Sequence, residues 1–327
     1  MAELNPTPRK SVLVIGATGC IGRAVARELV VNSYRVFGLV RSDEARARLP
    51  YAVIPARGDL RGPEAWEPTL DQCDVVVNAS FPSDLGPAGP RDRAAVVREA
   101  EAYAEILDRL FAFLRRKKKP LVHTFGALLY DPEPDGWVRE ISAISSGRGF
   151  GARHAVTWPV LALHRRKGLK AITVNPAFVY GRGGWFEHGL LEPMSRGEST
   201  MIGDGRQTMH YVTAADAAAA YRLAIEKAKP GEDYLVADDE PTTLGDFTRL
   251  VAKEMGAPEP VGVPESALAP VMGEWAVEAY STCYKTDASK AKRDLGWSPR
   301  FRTIAEGVPV VVREYRRSKL AAAGSPR

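Results

Sequence analysis

Cysteine, histidine and long apolar runs are all scarce in this chain of 327 residues. The three cysteines, Cys20, Cys73 and Cys283, have neither paired nor metal-ligand spacing, so the sequence predicts no disulfide scaffold and no metal site. No segment approaches the roughly 18 apolar residues of a membrane span. The polar N-terminus, Met1 to Lys10, lacks the apolar core of a secretory signal. These absences favour a reducing compartment and predict a cytoplasmic protein with no membrane partner.

The chain also lacks a strong charge bias. Lys and Arg total 45 against 40 Asp and Glu, which gives a net charge of +5 and a pI of about 9.0. Because this surplus is small and spread along the chain, we predict no nucleic-acid partner; an affinity for a phosphorylated cofactor explains it equally well. With 45% hydrophobic residues the chain can bury a large core, which disfavours disorder.

What the sequence does have is an apolar run that leads directly into three glycines. Val12 to Ile15 is typical of a buried parallel strand, and Gly16, Gly19 and Gly22 follow it, before apolar residues at helical spacing. Such glycines let the backbone turn sharply, approach a pyrophosphate and pack the helix on the strand. The N-terminus of that helix favours an anion. The segment predicts a dinucleotide site; the alternative is a turn that binds nothing. The residues assigned to it are Gly16, Thr18, Gly19, Cys20, Ile21, Gly22 and Arg23.

Short apolar runs alternate with amphipathic or charged stretches as far as about residue 180. This alternation is typical of βαβ units and predicts an α/β fold with a doubly wound parallel sheet of the Rossmann type. The predicted strands are Val12–Ile15, Arg35–Val40, Ala52–Pro55, Asp74–Asn78, Pro120–Thr124, Ala171–Asn175 and Tyr234–Val236. The predicted helices are Arg91–Arg116, Ala214–Lys227 and Thr242–Met255, then a proline-rich connection from Pro258 to Pro270 and two short helices between Ser289 and Tyr315.

Arg41 follows the second predicted strand, nineteen residues beyond Gly22. An acidic side chain at this position would bind the ribose 2′-hydroxyl of NAD(H), whereas an arginine suits the 2′-phosphate of NADP(H). The sequence therefore favours NADP(H) over NAD(H). An exposed arginine that merely follows a strand is the alternative, and Arg23 either reinforces the anion site or is solvated.

Five motifs, in this order and spacing, resemble those of the extended short-chain dehydrogenase/reductases, the group of nucleoside-sugar epimerases and dehydratases. They are Gly-Ala-Thr-Gly-Cys-Ile-Gly (16–22), Gly-Asp-Leu (58–60), Asn-Pro-Ala-Phe-Val-Tyr-Gly (175–181), Ile-Gly-Asp-Gly-Arg (202–206) and Leu-Gly-Trp-Ser-Pro (295–299). The resemblance implies that Asp59 and Leu60 hold the adenine ring. It also implies that Ala79 and Ser80 line the cofactor and that Pro176 to Phe178 lie near the nicotinamide.

The same resemblance implies a dinucleotide-binding domain and a smaller C-terminal substrate-binding lobe. The two parts are residues 1–180 with 206–237 and residues 181–205 with 238–327. A small-molecule substrate would lie in the cleft between them. Tyr180 is one candidate substrate contact, and His210 and Tyr211 either contact the substrate or pack. A homodimer formed through two helices is a further implication.

The family's catalytic positions are where this chain departs from the pattern. The family uses a serine or threonine after the fifth strand and a Tyr-x-x-x-Lys pair, in which the tyrosine is the acid or base and the lysine lowers its pKa. Here the hydroxyl position falls on Gly126, and no tyrosine lies between Tyr130 and Tyr180. The Tyr-x-x-x-Lys position falls near residues 149–153, where Arg153 can bind the ribose but cannot exchange protons.

Three residues are candidates to replace this machinery. Thr124 can orient a carbonyl oxygen, Tyr130 has the right group at a position that the family uses for packing, and His154 titrates near neutral pH or else packs. We therefore predict an atypical NADP(H)-dependent oxidoreductase, reductase- or epimerase-like, acting on a small oxygenated or sugar-like metabolite. A non-redox isomerase, cyclase or lyase, and a noncatalytic NADP-binding protein, remain open alternatives.

Overall fold

The computed structural model describes residues 10–80, 93–145, 147 and 151–323. The strands are β1 (Ser11–Ile15), β2 (Arg35–Val40), β3 (Ile54–Arg57), β4 (Val75–Asn78), β5 (Leu121–Thr124), β6 (Trp137–Val138), β7 (Ala171–Pro176), β8 (Phe178–Tyr180), β9 (Thr200–Ile202), β10 (Thr208–Met209), β11 (Tyr211–Thr213), β12 (Asp233–Val236), β13 (Thr242–Thr243), β14 (Val261–Val263) and β15 (Lys285–Thr286). The α-helices are α1 (Cys20–Val31), α2 (Asp43–Ala47), α3 (Glu67–Asp71), α4 (Arg93–Arg116), α5 (Gly151–Arg166), α6 (Gly184–Phe186), α7 (Glu192–Ser195), α8 (Ala214–Lys227), α9 (Leu244–Met255), α10 (Glu265–Met272), α11 (Glu274–Ser281) and α12 (Ile304–Ala323). Short 3₁₀ turns occupy Pro63–Trp66 and Ala127–Leu129, and π-helical turns occupy Glu187–Leu191 and Ala291–Leu295.

Seven parallel strands form the central sheet, in the order β3-β2-β1-β4-β5-β7-β12. The chain runs outward from β1 to β3 and then returns to β4 on the other side of β1, so the strand order reverses between β1 and β4. In open α/β sheets ligands bind outside the carboxyl ends of the strands at such a reversal. The order confirms the predicted doubly wound sheet and places a crevice at the carboxyl end of β1.

Helices cover both faces of this sheet. Val12 and Val14 belong to the buried cluster formed with α1 and α8, whereas Leu13 and Ile15 belong to the cluster formed with α4. Successive side chains of a strand point to opposite faces, which is why a continuous apolar run supplies both layers. Each such side chain stabilises the fold by about 1.5–3 kcal/mol relative to exposure. β1 is therefore held rigidly where the glycine turn begins.

The third strand begins later than predicted. Ala52 adopts a φ of +64°, and the Val53 N–H donates to the Pro50 carbonyl oxygen at 3.2 Å, so these residues close a turn. The strand then runs from Ile54 to Arg57 beside β2. The predicted start at Ala52 was wrong because apolar character alone does not distinguish a turn from a strand.

The C-terminal region differs most from the prediction. In place of a short helix ending at Tyr315, α12 continues for 20 residues to Ala323 and contains Pro309. Val308 and Val311 of α12 are buried in a third apolar cluster with residues of α9. Tertiary packing thus sustains a helix that local signals interrupt. Likewise, α10 forms inside the predicted proline-rich connection.

Two further predictions are only partly covered by the described residues or stay untested. The first residues of the predicted helix 91–116 lie outside the described residues, and the division into two lobes stays a prediction. Within the part of the chain that the structure describes, no helix combines the length and hydropathy of a membrane span.

Candidate active site

The turn between β1 and α1 brings backbone atoms closer than side chains would allow. Gly16 has a φ of +84°, and a Cβ on it would lie 2.7 Å from the Ala79 carbonyl oxygen. A Cβ on Gly22 would overlap the Gly16 carbonyl oxygen. The N-cap of α1, Gly19, makes no side-chain cap hydrogen bond, and the first turn of this fully described helix contains no acidic residue. The helix N-terminus is therefore presented to an anion.

A cavity of about 310 Å³, which we call the arginine-lined cavity, opens beside this turn. Its described lining residues include three arginines, Arg41, Arg48 and Arg61, but only one carboxylate, that of Asp59. Asp59 accepts a hydrogen bond from the Arg61 N–H at 2.8 Å and pairs with its guanidinium at 3.6 Å. The surplus of positive charge suits a phosphate group. The predicted cofactor residues in its wall are Gly16, Thr18, Gly19, Arg41, Asp59, Leu60, Ala79 and Ser80.

A second cavity of about 350 Å³, the aromatic-lined cavity, adjoins the first because Ala79, Ser80 and Tyr103 line both. The Tyr103 hydroxyl donates to the Ser80 carbonyl oxygen at 2.9 Å and so fixes the junction. The predicted site residues in its wall are Ile21, Ala79, Ser80, Thr124, Arg153, His154, Pro176 and Phe178. Other residues of this wall, which no sequence motif indicated, include Phe125, Trp185, Tyr280 and Tyr284.

Thr124 ends β5 and is held by a neighbour on α8. Its hydroxyl lies 2.6 Å from the Tyr221 hydroxyl, which in turn lies 3.4 Å from the Val174 carbonyl oxygen. Burial raises the pKa of Tyr221 well above its usual value, so the phenol stays neutral. Thr124 therefore faces the aromatic-lined cavity with its rotamer fixed.

His154 lies beside Gly126, where the resemblance predicts the family's catalytic hydroxyl. Gly126 has a φ of +148°, and a Cβ on it would lie 3.8 Å from His154 Nε2. The imidazole packs edge-on against the Phe125 ring, with ring centroids 5.4 Å apart. Burial, then the charge of Arg153, lowers the pKa of His154 to about 3. The expectation that His154 titrates near neutral pH is therefore corrected, and its ring is a neutral donor and acceptor of hydrogen bonds.

Arg153 lies in the first turn of α5, within the stretch where the resemblance predicts the Tyr-x-x-x-Lys pair. Its guanidinium is 3.7 Å from the Glu99 carboxylate and 4.9 Å from the centre of the Trp275 ring. Its charge is thus balanced inside the protein while it lines the cavity. Gly149 and Phe150, which share the Tyr-x-x-x-Lys position, lie outside the described residues. Ribose binding by Arg153 stays a prediction.

The predicted substrate contacts are not among the described lining residues of either cavity. His210 is 2% exposed, and its Nδ1 accepts the Thr286 N–H at 2.7 Å. Burial lowers the pKa of His210 to about 4. Tyr211 stacks on the Phe247 ring at 4.0 Å, and Tyr180 packs against the same ring at 5.6 Å. These side chains pack against residues of the C-terminal region. For His210 and Tyr211, packing was the alternative to substrate contact that the sequence left open.

Tyr130, a catalytic candidate, is 1% exposed and belongs to a small apolar cluster with Leu129 and Val138. Burial raises the pKa of its phenol far above the usual value. It does not belong to the described lining of either cavity. The structure thus gives Tyr130 a packing role, in agreement with the packing position that the resemblance implied.

Cys20, Arg23 and Tyr180 line a third cavity, of about 220 Å³, between α1 and the start of α8. Burial raises the pKa of the Cys20 thiol to about 12, so it is an unreactive thiol. The Arg23 guanidinium lies 3.5 Å from the Thr18 carbonyl oxygen. The side chains of Cys20 and Arg23 thus line the third cavity and are not among the described lining residues of the arginine-lined cavity, although that of Arg23 also contacts the glycine turn.

With this geometry in view, known proteins show where the chain belongs. Residues 12–237 match the NAD dependent epimerase/dehydratase family. The chain belongs to this family. Residues 191–309 also match GDP-mannose 4,6 dehydratase. The expected resemblance to extended short-chain dehydrogenase/reductases is thereby confirmed.

Individual relatives of this family member are distant but nearly full-length. Uncharacterized protein YLL056C of Saccharomyces cerevisiae is 28% identical over 317 residues, covering 91% of this chain and 97% of its own. The 2-alkyl-3-oxoalkanoate reductase of Stenotrophomonas maltophilia is 23% identical over 335 residues, covering 91% and 97%. The crystal structure of human epimerase family protein SDR39U1 with NADPH has a TM-score of 0.71 at 19% identity, covering 93% and 99%, and shows the shared fold.

Proposed function

We propose that this protein is an NADP(H)-dependent oxidoreductase that reduces a carbonyl group on a small substrate. The observation that carries the proposal is the pair of adjoining cavities, one rich in arginine and the other containing Thr124 and His154. When bound, NADPH supplies two electrons and a hydrogen to a carbonyl carbon, and a proton on the oxygen completes the alcohol. The remaining steps belong to the protein's own residues.

The residues around the glycine turn fit this cofactor. Gly16 and Gly22 allow the close backbone packing that positions the start of α1, where free N–H groups suit a pyrophosphate. Arg41 and Arg48 line the neighbouring cavity, which supports recognition of a 2′-phosphate. The NADPH in the human protein's structure and the similarity to a Stenotrophomonas 2-alkyl-3-oxoalkanoate reductase support the same cofactor and reaction.

His154 and Thr124 supply the polar groups of the proposed reaction. A neutral imidazole with a low pKa donates a hydrogen bond to a carbonyl oxygen as negative charge develops there. Thr124, held by Tyr221, orients the same oxygen. Because the imidazole is neutral at pH 7, water supplies the proton. This division of labour replaces the tyrosine of the family without needing another titrating side chain.

The test measures binding first and turnover second. Purified protein is titrated with NADPH and NADH, and loss of reduced-nicotinamide absorbance is followed across a panel of aldehydes and ketones. We expect tighter binding of NADPH and its consumption by at least one carbonyl compound. Binding of NADPH without any consumption would sink the reductase assignment. If neither dinucleotide binds, the cofactor assignment fails as well.

A further inference from the structure

The wall of the aromatic-lined cavity offers a substrate very little charge. Among its described residues Arg153 carries the only fixed charge, and that guanidinium pairs with Glu99 and stacks on Trp275. His123 and His154 are uncharged because burial lowers the pKa of each to about 3. A group with two or more negative charges would therefore be desolvated here without a matching cation.

The C-terminal part of this wall includes a lysine, Lys285, whose side chain is not among the described lining residues. Tyr284 and Thr286 line the cavity, but the ammonium of Lys285 between them lies 5.4 Å from the centre of the Trp137 ring. The segment that matches GDP-mannose 4,6 dehydratase thus contributes aromatic rings and a hydroxyl to this wall. It contributes no cation among the described lining residues.

Three aromatic side chains form a continuous patch in the same wall. The Phe178 ring centre lies 5.8 Å from that of Tyr280 and 6.2 Å from that of Trp185, and the latter two are 6.0 Å apart. The Trp185 indole N–H donates to the Val179 carbonyl oxygen at 2.7 Å, so its hydrogen-bonding capacity is used within the protein. What the patch presents is apolar ring surface, which suits aromatic or alkyl groups.

The size of the cavity leads to the same conclusion. Its volume of about 350 Å³ is near the lower end of the roughly 300–1,000 Å³ of small-molecule sites. If the proposed function is right, the nicotinamide ring occupies part of that space. What remains accommodates a compact group rather than a nucleotide with a sugar.

We propose that this site takes a carbonyl compound whose non-reacting part is an aromatic ring or an alkyl chain packed on Phe178, Trp185 and Tyr280, and that it rejects nucleoside diphosphate sugars. The carbonyl end would lie toward Thr124 and His154. The inference rests on the proposed function for the reacting group, whereas its statement about the apolar part rests on the cavity wall alone.

The test is calorimetric titration of the full-length protein, both free and saturated with NADP⁺, with acetophenone, 2-octanone and UDP-glucose. We expect both ketones to bind at least about tenfold more tightly than UDP-glucose. Tyr280→Ala should weaken ketone binding by about tenfold, because it removes one ring of the patch. Tyr51→Ala, at a tyrosine that is 96% exposed, is the matched control and should change nothing.

Tyr280→Leu guards against a folding defect, since it keeps apolar volume at the same position. It should retain binding of 2-octanone better than that of acetophenone, with an unfolding midpoint close to wild type. Tighter binding of UDP-glucose, indifference of ketone binding to Tyr280→Ala in a folded variant, or binding of neither class would overturn the inference. These outcomes are independent of NADPH consumption, so a failure here and a failure of the reductase assignment are distinguishable.

Discussion

The two adjoining cavities are built in opposite ways. The arginine-lined cavity is formed by residues between Ile15 and Ile106, and its distinctive features are backbone groups and fixed positive charges. The aromatic-lined cavity is formed by residues between Ile21 and Thr286, which present rings, a few neutral polar groups and the paired guanidinium of Arg153. The arginine-lined cavity thus suits a negatively charged ligand, and the aromatic-lined cavity suits an apolar ligand.

The residues that would hold a cofactor are therefore largely distinct from those that would contact a substrate. The glycine turn is complete, while Gly126, where the resemblance predicts a catalytic hydroxyl, has no side chain and lies beside His154. If the separation is real, substitutions in one half should leave the ligand of the other half largely unaffected. The variants below test that independence, beginning with the largest expected effect.

Gly22→Ala should abolish NADPH binding and lower the free energy of unfolding by about 3 kcal/mol or more, since the new Cβ overlaps the Gly16 carbonyl oxygen. Cofactor fluorescence and denaturant unfolding measure the two effects. Gly62→Ala is the matched control, because no atom lies within 4 Å of a Cβ built there. Wild-type affinity in Gly22→Ala would show that the close approach of helix and strand is not required.

His154→Ala should reduce kcat by about 10²–10³-fold, the usual effect of losing a donor to a developing oxyanion. Its NADPH affinity should stay within about twofold of wild type, which a general loss of structure would not allow. The measurements are steady-state rates and direct titration with NADPH. His188→Ala alters a histidine that is 65% exposed and serves as the control. Undiminished turnover in His154→Ala would exclude this residue from the reaction.

The first half of this contrast was predictable from sequence because its signals are local. An apolar run followed by Gly16, Gly19 and Gly22 specifies a strand, a turn and a helix within twelve residues. Even there, side-chain direction was not predictable: Ile21 faces the aromatic-lined cavity, whereas Cys20 and Arg23 face a different one. Direction depends on how α1 packs against α8, and that contact is not local.

The second half was largely invisible in the sequence. Tyr280 and Tyr284 reach the site from more than one hundred residues beyond Phe178, and nothing local marks them as cavity residues. Tyr211, by contrast, lies in a segment that resembles a substrate contact, yet it stacks on Phe247 because α9 packs there. Sequence patterns identify which segments approach the site, and tertiary packing decides which side chains face it.

Arg41→Ala should weaken NADPH binding by about ten- to a hundredfold, because a hydrogen bond to a charged group contributes about 1.5–3 kcal/mol. NADH, which lacks the 2′-phosphate, should lose little. Parallel titrations with both dinucleotides give the ratio directly. Arg46→Ala, on the adjacent α2 but outside the described cavity lining, is the control. Equal losses for NADPH and NADH would remove the argument for the phosphate.

Tyr221→Phe should lower kcat by roughly three- to tenfold, since it removes the hydroxyl that fixes Thr124 at 2.6 Å. Tyr221 is a positioning residue, so its effect should disappear when Thr124 is already replaced by valine. The double variant Thr124→Val with Tyr221→Phe should therefore be no slower than Thr124→Val alone. Additive losses would mean that the two hydroxyls act independently.

The smallest expected effect is that of pH on the rate. With a pKa of about 3 in the folded protein against 6.5 ordinarily, His154 stays neutral from pH 8 down to pH 5. In wild type, the kcat/KM profile should therefore show no change near pH 6.5. A change there that His154→Gln removes would instead identify the imidazolium as the acid.

The free energy of unfolding should depend on pH where the rate does not, because the unfolded chain binds a proton on His154 below about pH 6.5 that the folded state accepts only near pH 3. Acidification from pH 7 to 5 should thus destabilise wild type more than His154→Gln, which would tie the neutral imidazole to its partly buried place beside Gly126.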